Sequence, residues 1–242
     1  MRICAAQTRP IKGNIKINIE NHKRLIDLAV SHRAGVVIFP ELSLTGYEPE
    51  LAKELATHQD DGRLDVFQEI SDARHVTIGV GMPTKSGPGI CISMVIFQPL
   101  KARRIYSKSY LHPDEDAFFV AGQKSPHLKV NQTNIALAIC YEISVPQHLE
   151  TALKSGPEIY FASVAKFVNG IGKALQQLSE IAKNHSMIVL MSNSVGPSDG
   201  NECAGKTSIW NNQGLLVGQL DDTNEGILIF DTETQEVVGK TI

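Results

Sequence analysis

Residues 3–40 read ICAAQTRPIKGNIKINIENHKRLIDLAVSHRAGVVIFP. Ile3 to Gln7 form a short apolar run typical of a strand, and Val36 to Phe39 form a second one that Pro40 bounds. Between them, apolar residues recur every three or four positions from Ile15 to His32, which predicts an amphipathic helix. A strand, a helix and a buried strand in this order indicate an α/β fold with helices packed on a sheet.

The same signals continue along the chain. Further helices are predicted at Leu64 to Ala73, Val145 to Lys154 and Lys173 to His185. Strands are predicted at Val76 to Val80, Ile90 to Phe97, Ala102 to Tyr106, Ile135 to Ile139, Ile159 to Ala162 and Ile188 to Met191, and in the tail at Trp210, Leu215 to Val217 and Ile227 to Phe230. We see no linker and no low-complexity stretch, so residues 1–242 are predicted to form a single domain with mixed sheets.

Charge and hydropathy exclude several classes of protein. The formal net charge of -3 over 242 residues favours neither nucleic acid nor an anionic membrane surface as a partner. The apolar run at the N-terminus is short for a signal peptide, and no segment reaches the roughly 18 apolar residues of a membrane span. We therefore expect a cytoplasmic protein that binds neither nucleic acid nor membrane.

The cysteines and histidines suggest neither a disulfide scaffold nor a metal site. Cys4, Cys91, Cys140 and Cys203 show no CxxC spacing, and each is by default a small buried residue. No HxxxH or HxH pair occurs, so we expect no metal and no other cofactor. A papain-like pair of Cys140 with His112 or His148 stays open, although no local cysteine-protease signature accompanies Cys140.

Two residues at predicted strand ends are candidates for a chemical role. Glu41 follows the strand VVIF and Pro40, and Cys140 follows the strand IALAI. Reactive groups collect at the carboxyl ends of strands because the scaffold is rigid there and the loops open to solvent. Taken alone, each has an ordinary explanation, since a carboxylate often caps a turn and a cysteine after an apolar strand often packs in the core.

A lysine between them completes a set suited to acyl transfer. A thiol with a pKa of about 8.5 needs a proton acceptor at neutral pH, and a partly buried glutamate with a raised pKa can serve. The ammonium of a lysine, with the backbone N–H after the nucleophile, can stabilise the oxyanion of a tetrahedral intermediate. A glutamate, a lysine and a cysteine thus form an acyl-transfer set without histidine.

Three segments resemble the nitrilase, or carbon-nitrogen hydrolase, superfamily along nearly the whole chain. They are FPELSLTGYEP at 39–49, YSKSYLHPDEDAFFVAG at 106–122 and ALAICYEISVPQ at 136–147. The resemblance implies that Glu41 is the general base, Lys108 the cationic helper and Cys140 the nucleophile. It further implies that Glu115 and Tyr141 contact substrate, although a plain acidic turn remains an alternative for Glu115. The implied fold is an α/β, four-layer α-β-β-α sandwich of the nitrilase type with two mixed β-sheets, usually assembled as a homodimer.

The chain departs from the family pattern after the strand at Ile159 to Ala162. Many relatives carry an Asn-Pro-Ala turn followed by an aromatic residue there, whereas this chain has the sequence SVAKF at 163–167. Phe167 could fill the aromatic role, and Lys166 could meet an acidic group of the substrate or point to solvent. Tyr47 could line the pocket or bond a loop carbonyl.

The function that these residues predict is hydrolysis of a small linear amide or carbamoyl compound through a thioester on Cys140, releasing ammonia or an amine. The tyrosine that follows Cys140 favours the amidase branches over true nitrilases. A nitrilase acting on small nitriles and a non-catalytic binding protein with the nitrilase fold are the alternatives. The expected partners are a small-molecule amide substrate and a second copy of the chain.

Overall fold

A computed structural model describes residues 1–123 and 127–242 of the chain. The helices are α1 (Ile15–Ser31), α2 (Ala52–Leu55), α3 (Asp65–Arg74), α4 (Pro146–Leu153) and α5 (Ile171–His185). The strands are β1 (Arg2–Gln7), β2 (Val36–Ile38), β3 (Thr77–Ser86), β4 (Gly89–Phe97), β5 (Arg104–Ser107), β6 (His127–Val130), β7 (Thr133–Ile139), β8 (Ile159–Ser163), β9 (Ile188–Ser192), β10 (Val195–Ser198), β11 (Asn201–Ala204), β12 (Ser208–Trp210), β13 (Leu216–Gln219), β14 (Gly226–Asp231) and β15 (Val237–Thr241). In these described residues, no helix is long and apolar enough to cross a membrane.

The strands form two large mixed sheets and a small hairpin. The first sheet has seven strands in the order β15-β14-β1-β2-β3-β4-β5, and the second has six in the order β13-β12-β9-β8-β7-β6. The pairs β1–β2 and β2–β3 are parallel in the first sheet, as are β7–β8 and β8–β9 in the second. The strands β10 and β11 pair with each other as a separate antiparallel hairpin.

The two sheets pack face to face, with helices on both outer faces. Ile38 of β2 and Phe161 of β8 belong to the core between the sheets. Val37 of β2 belongs instead to an outer core with α1 and α3, and Ala162 of β8 to an outer core with α4 and α5. Successive residues of a strand thus enter different cores, which is why these strands read as continuous apolar runs. The predicted four-layer α-β-β-α fold is confirmed.

Two hydrogen bonds donated by serine hydroxyls join the sheets at the carboxyl ends of their parallel strands. Ser163 of β8 donates its hydroxyl to the carbonyl of Phe39 over 2.8 Å. Ser192 of β9 likewise donates to the carbonyl of Ala6 over 2.5 Å. The carbonyl of Phe39 lies two residues before Glu41, so the first bond fixes the chain that leads to it. Both sheets therefore present their carboxyl strand ends to one place.

Several short strands were not predicted. They are β6, the hairpin of β10 and β11, and β15. The hairpin carries Gly196 and Pro197, which ordinarily oppose strand structure, and β15 is largely exposed at the edge of its sheet. The strand predicted from Ala102 begins at Arg104, which pairs with Ile96 where the ladder to β4 starts. The predicted meander of β3, β4 and β5 is present.

Candidate active site

Glu41, Lys108 and Cys140 meet where β2, β5 and β7 end. The ammonium of Lys108 donates hydrogen bonds to Oε1 of Glu41 at 2.8 Å and to Oε1 of Glu115 at 2.7 Å. The side chains of Lys108 and Glu41 are both 0 % exposed, which makes this a fully buried ion pair. A buried lysine held between two carboxylates keeps its charge and its position, because a buried ammonium without any carboxylate partner would be an uncompensated charge.

The turn that carries Glu41 rests on β3. Leu42, the next residue, adopts the left-handed region with φ +50°. Leu44 donates its backbone N–H to the carbonyl of Gly81 at 3.0 Å, and Gly81 donates its own to the Ser43 hydroxyl at 3.1 Å. An ideal Cβ on Gly81 would lie 2.3 Å from the backbone nitrogen of Leu42. Only glycine lets the turn approach β3 this closely.

Cys140 stands at a sharp change of backbone direction. It follows β7 and begins a 3₁₀ helix, Cys140–Ser144, with φ +45°. This left-handed conformation costs a non-glycine residue about 1–2 kcal/mol. Such local strain is typical of functional positions. The side chain is partly exposed, in contrast to the buried Cys4, Cys91 and Cys203, so it reaches a cavity while its neighbours in β7 pack in the cores.

Glu115 is buried and belongs to the same cluster. One of its oxygens accepts the Lys108 bond and a bond of 2.9 Å from the Tyr47 hydroxyl. Its other oxygen accepts the backbone N–H of His112 at 2.8 Å. Asp114 and Asp116, which flank Glu115 in the chain, are exposed. Glu115 thus caps the turn at His112 and also bonds Lys108, and Tyr47 bonds the Glu115 carboxylate rather than a loop carbonyl.

Burial and charge set the proton affinities of the cluster. Burial raises the pKa of Glu41, and the attraction of Lys108 opposes this only in part. Burial would lower the pKa of Lys108, but the negative charges around it outweigh this effect and the net pKa is raised. Burial and the charge of Glu41 raise the pKa of the Cys140 thiol, whereas Lys166 and Lys108 lower it. The thiol is therefore protonated at rest beside a carboxylate of raised basicity.

Glu41 has an oxygen free to accept that proton. Oε1 is bonded to Lys108, whereas Oε2 is buried and has no N–H or O–H donor bonded to it in the part of the chain that the structure describes. The thiol of Cys140 is among the groups that influence the pKa of Glu41. The arrangement can move a proton from sulfur to Glu41 while Lys108 keeps the local charge balanced.

A cavity of about 570 Å³ opens above Cys140. Its lining includes the predicted substrate contacts Glu115 and Tyr141, together with Tyr47, Lys166 and Phe167. The rings of Tyr47 and Phe167 meet edge to face at 6.1 Å and form one wall. A larger open cavity of about 990 Å³ lies beside the start of α1, and its lining contains none of these residues. The smaller cavity therefore gives access to Cys140.

Glu142 is a residue of the site that the sequence reasoning missed. It is fully buried and accepts hydrogen bonds from the backbone N–H of Ser109 at 2.6 Å and of Ile139 at 2.8 Å. The Tyr106 hydroxyl donates a third bond at 2.5 Å. Burial raises the pKa of Glu142 to about 7. The available signal was its position two residues after a strand-end cysteine, where a carboxylate must find donors if it is buried.

The two histidines considered as partners of Cys140 contact other residues instead. His148 is hydrogen-bonded to the Tyr106 hydroxyl at 3.0 Å, and burial lowers its pKa to about 4. His112 packs edge to face against Tyr141, with the ring centroids 5.1 Å apart. Within residues 1–123 and 127–242, neither histidine is hydrogen-bonded to Cys140. No group of three or more His, Cys, Asp or Glu in the same ranges could hold a metal ion.

The sequence model of the carbon-nitrogen hydrolases matches residues 2–239. The chain belongs to this family. Its fold is also that of the NitN amidase from Nesterenkonia sp. AN1, with a TM-score of 0.87, 22% identity and coverage of 96% of this chain and 92% of that one. At this level of identity, the structural likeness shows the fold.

Curated relatives cover the chain from end to end. The hydrolase in the agr operon of Staphylococcus aureus is 26% identical over 98% of this chain and 93% of its own length. The 2-oxoglutaramate amidase of Bacillus subtilis is 24% identical over 93% and 87%. The glutamine-dependent NAD(+) synthetase of Aquifex aeolicus is 24% identical over 100% of this chain, which spans only 44% of that protein.

Proposed function

We propose that this carbon-nitrogen hydrolase cleaves the C–N bond of a small linear amide through a thioester on Cys140. The observation that carries the proposal is the buried bond of 2.8 Å between Lys108 and Glu41, next to a strand-end cysteine that opens into a cavity. Glu41 acts as the general base, Lys108 as the electrostatic helper, and Glu115 and Tyr141 as substrate contacts. Carbamoyl compounds fit the same chemistry.

In the first half-reaction, Cys140 Sγ attacks the amide carbon while Glu41 takes the thiol proton. The negative charge that develops on the amide oxygen is stabilised by the Lys108 ammonium and the backbone N–H of Tyr141, since the first N–H groups of a helical turn have no partner within it. The tetrahedral intermediate collapses as its C–N bond breaks. Glu41 returns the proton to the leaving nitrogen, and ammonia departs from a thioester.

In the second half-reaction, water replaces the nitrogen. Glu41 is again a carboxylate and takes a proton from a water molecule that attacks the thioester carbon. The C–S bond breaks, the carboxylic acid leaves, and the proton returns to sulfur. Glu41 thus serves as base and acid in both halves. Its raised pKa suits it to both, because proton transfer is most efficient when the pKa lies near the working pH.

The names of the relatives support amides over nitriles. One curated relative is a 2-oxoglutaramate amidase, and the matched solved structure is an amidase. Side-by-side assays on a nitrile and an amide of the same carbon skeleton separate the two reactions. We expect the amide to have the larger kcat/KM, and a strong preference for the nitrile would make the chain a nitrilase instead.

The nucleophile is tested by trapping the thioester. Mass spectrometry of protein quenched during turnover should show the acyl group on the peptide that contains Cys140, and hydroxylamine should remove it. Cys140→Ala should abolish both the adduct and hydrolysis, whereas Cys91→Ala, a matched change at a buried cysteine outside the cavity lining, should retain them. Undiminished turnover in Cys140→Ala would refute the mechanism, and an unmodified Cys140 with no turnover would favour a binding protein.

Assembly as a homodimer and a cytoplasmic location stay predictions of the sequence. Size-exclusion chromatography with light scattering tests the first, and fractionation of the producing cell tests the second.

A further inference from the structure

We propose that Lys166 binds a carboxylate of the substrate, so that the amide hydrolysed is the ω-amide of a short carboxylic acid. Such a molecule has an amide at one end and a single carboxylate at the other. The proposal rests on the proposed function, because it concerns the substrate that reaches Cys140. It adds a specificity-determining residue outside the Glu41, Lys108 and Cys140 set.

Lys166 is held in place at the cavity by a buried amide. Its backbone N–H donates to Oδ1 of Asn193 at 2.8 Å, and its carbonyl accepts from Nδ2 of Asn193 at 3.1 Å. Asn193 is 0 % exposed and also donates to the carbonyl of Gly205 at 2.8 Å. The two bonds to one side chain fix the backbone of Lys166 where β8 has ended, and its side chain lines the same cavity as Cys140.

The ammonium of Lys166 has no carboxylate partner among the residues that the structure describes. In the described ranges, the Lys108 ammonium bonds Glu41 and Glu115, and Lys12 bonds Glu48, but Lys166 takes part in no ion pair. Lys166 is partly buried, and it belongs to the cavity lining. A cation that is partly withdrawn from water and lacks a counter-ion is stabilised by an anionic ligand.

The positive charge of Lys166 affects the pKa of the Cys140 thiol. After burial and Glu41, which raise the pKa of the Cys140 thiol, Lys166 is the first of the groups that lower it. Lys166 and Cys140 also line one cavity, so an acyl group on Sγ and a carboxylate on Lys166 can belong to one short molecule. A cavity of about 570 Å³ accommodates a chain of this size.

Exposed acidic groups also line the cavity. Glu50, Asp114 and Asp199 are exposed on its lining, and His112 lies beside Asp114. Burial and the repulsion of Glu48 and Glu50 raise the pKa of Asp199. Exposed charges act weakly through solvent, so they do not oppose an anion bound inside at Lys166.

The test compares two amides of equal length. Glutaramate carries the carboxylate, and 5-oxohexanamide replaces it with a neutral acetyl group. We expect kcat/KM for glutaramate to exceed that for 5-oxohexanamide by about 10- to 100-fold, as is usual for a hydrogen bond to a charged group. The difference should appear mainly in KM, because the contact is the same in the ground state and the transition state.

Variants at Lys166 test whether this residue causes the preference for glutaramate over 5-oxohexanamide. Lys166→Met should remove the preference by raising KM for glutaramate, with a much smaller change for 5-oxohexanamide, and Lys166→Arg should restore part of it. Lys173→Met, at an exposed lysine of α5 outside the cavity, is the matched control and should behave as the unaltered protein. Melting temperatures and the pH profile of Cys140 alkylation are measured for each variant.

Three results overturn the proposal. Equal kcat/KM for the two amides in the unaltered protein shows that the carboxylate is not recognised. A preference that survives in Lys166→Met shows that another group recognises it. Equal losses on both amides in Lys166→Met, with a shifted alkylation profile, show that Lys166 acts on the sulfur alone. In these cases hydrolysis persists and the proposed function stands, whereas absence of both hydrolysis and acylation removes the function and the inference together.

Discussion

Ser109 donates its backbone N–H to Oε1 of Glu142 over 2.6 Å, and this bond joins the two sheets beside the candidate active site. The other oxygen of the same carboxylate accepts the backbone N–H of Ile139 at 2.8 Å. Ser109 follows Lys108 in the chain, and Ile139 precedes Cys140. Lys108 follows a strand of the seven-stranded sheet, and Cys140 follows a strand of the six-stranded sheet. One buried carboxylate therefore sets the spacing between Lys108 and Cys140.

Replacing Glu142 with alanine should weaken both stability and catalysis. The change leaves two buried backbone N–H groups without an acceptor, so we expect the free energy of unfolding to fall by about 2–4 kcal/mol. We expect kcat to fall by at least about tenfold as Lys108 and Cys140 lose their fixed spacing. Urea denaturation and steady-state kinetics measure the two effects. Glu150→Ala, at an exposed glutamate of α4, is the control, and an unchanged kcat in folded Glu142→Ala would contradict the positioning role.

Glu142 should also make stability depend on pH. Burial raises its pKa to about 7, above the roughly 4.3 of an unfolded glutamate, so the native state binds a proton more tightly. Its contribution to the free energy of unfolding is fully present below about pH 4 and is lost as the pH rises through 7. Burial lowers the pKa of His22 to about 3 and of His148 to about 4, and these groups act in the opposite sense.

The contribution of Glu142 to the pH dependence of stability is therefore measured by comparing the unaltered protein with a variant that cannot titrate at this position. Glu142→Gln cannot titrate, so subtracting its pH-stability curve from that of the unaltered protein should leave a decline between about pH 4 and 7. Equilibrium urea denaturation at a series of pH values provides the curves. A difference that rises with pH over this range would show that the carboxylate is ionised in the folded protein.

Glu41→Gln should separate the acidity of the thiol from catalysis. Burial and the negative charge of Glu41 both raise the pKa of Cys140, so the substitution should move the pH midpoint of iodoacetamide alkylation downward. Amide hydrolysis should nevertheless fall by about 10²–10⁴-fold, because the proton acceptor is lost. Glu50→Gln, at the exposed mouth of the cavity, should change neither property greatly. An upward shift of the midpoint would mean that Glu41 does not repel the thiolate.

Gly81→Ala should displace the turn that carries Glu41. The new Cβ would lie 2.3 Å from the backbone nitrogen of Leu42 and 2.4 Å from the carbonyl oxygen of Pro40. We expect a destabilisation of about 1–3 kcal/mol and a larger relative loss of kcat/KM. Gly172→Ala, in α5 where an added Cβ meets nothing within 4 Å, should be neutral or stabilising. Full activity in Gly81→Ala would show that the turn is not held by this contact.

Tyr47→Phe should affect substrate turnover more than stability. It removes the bond of 2.9 Å to Glu115 and keeps the ring that packs against Phe167. We expect kcat/KM to fall by about 10- to 100-fold, the range for one hydrogen bond to a charged group, with a smaller effect on melting temperature. Tyr160→Phe is the control, since its buried hydroxyl has no hydrogen-bond partner among the described residues. Equal kinetic losses in the two variants would point to a general packing effect.

Some of the fold and site could be predicted because local sequence encodes it. The runs VVIF and IALAI mark strands buried on both faces, and the residues just after them are placed at strand ends whatever their partners. Glu41 and Cys140 were found in this way, and the motif resemblance added Lys108. The short strands β10, β11 and β15 escaped prediction because their residues have weak strand preferences and pair only through tertiary context.

The sequence by itself determined the α/β class, the buried strands and the identity of the groups at their ends, since apolar periodicity and chemical type are local properties. Only the tertiary structure decided that Lys108 lies between Glu41 and Glu115, that Glu142 braces the loops of both sheets, and that Lys166 lines the cavity of Cys140. Lys108 and Glu41 are 67 positions apart. Their contact depends on how two sheets pack, because hydrogen-bond partners and the field of a buried charge are set by distance in space.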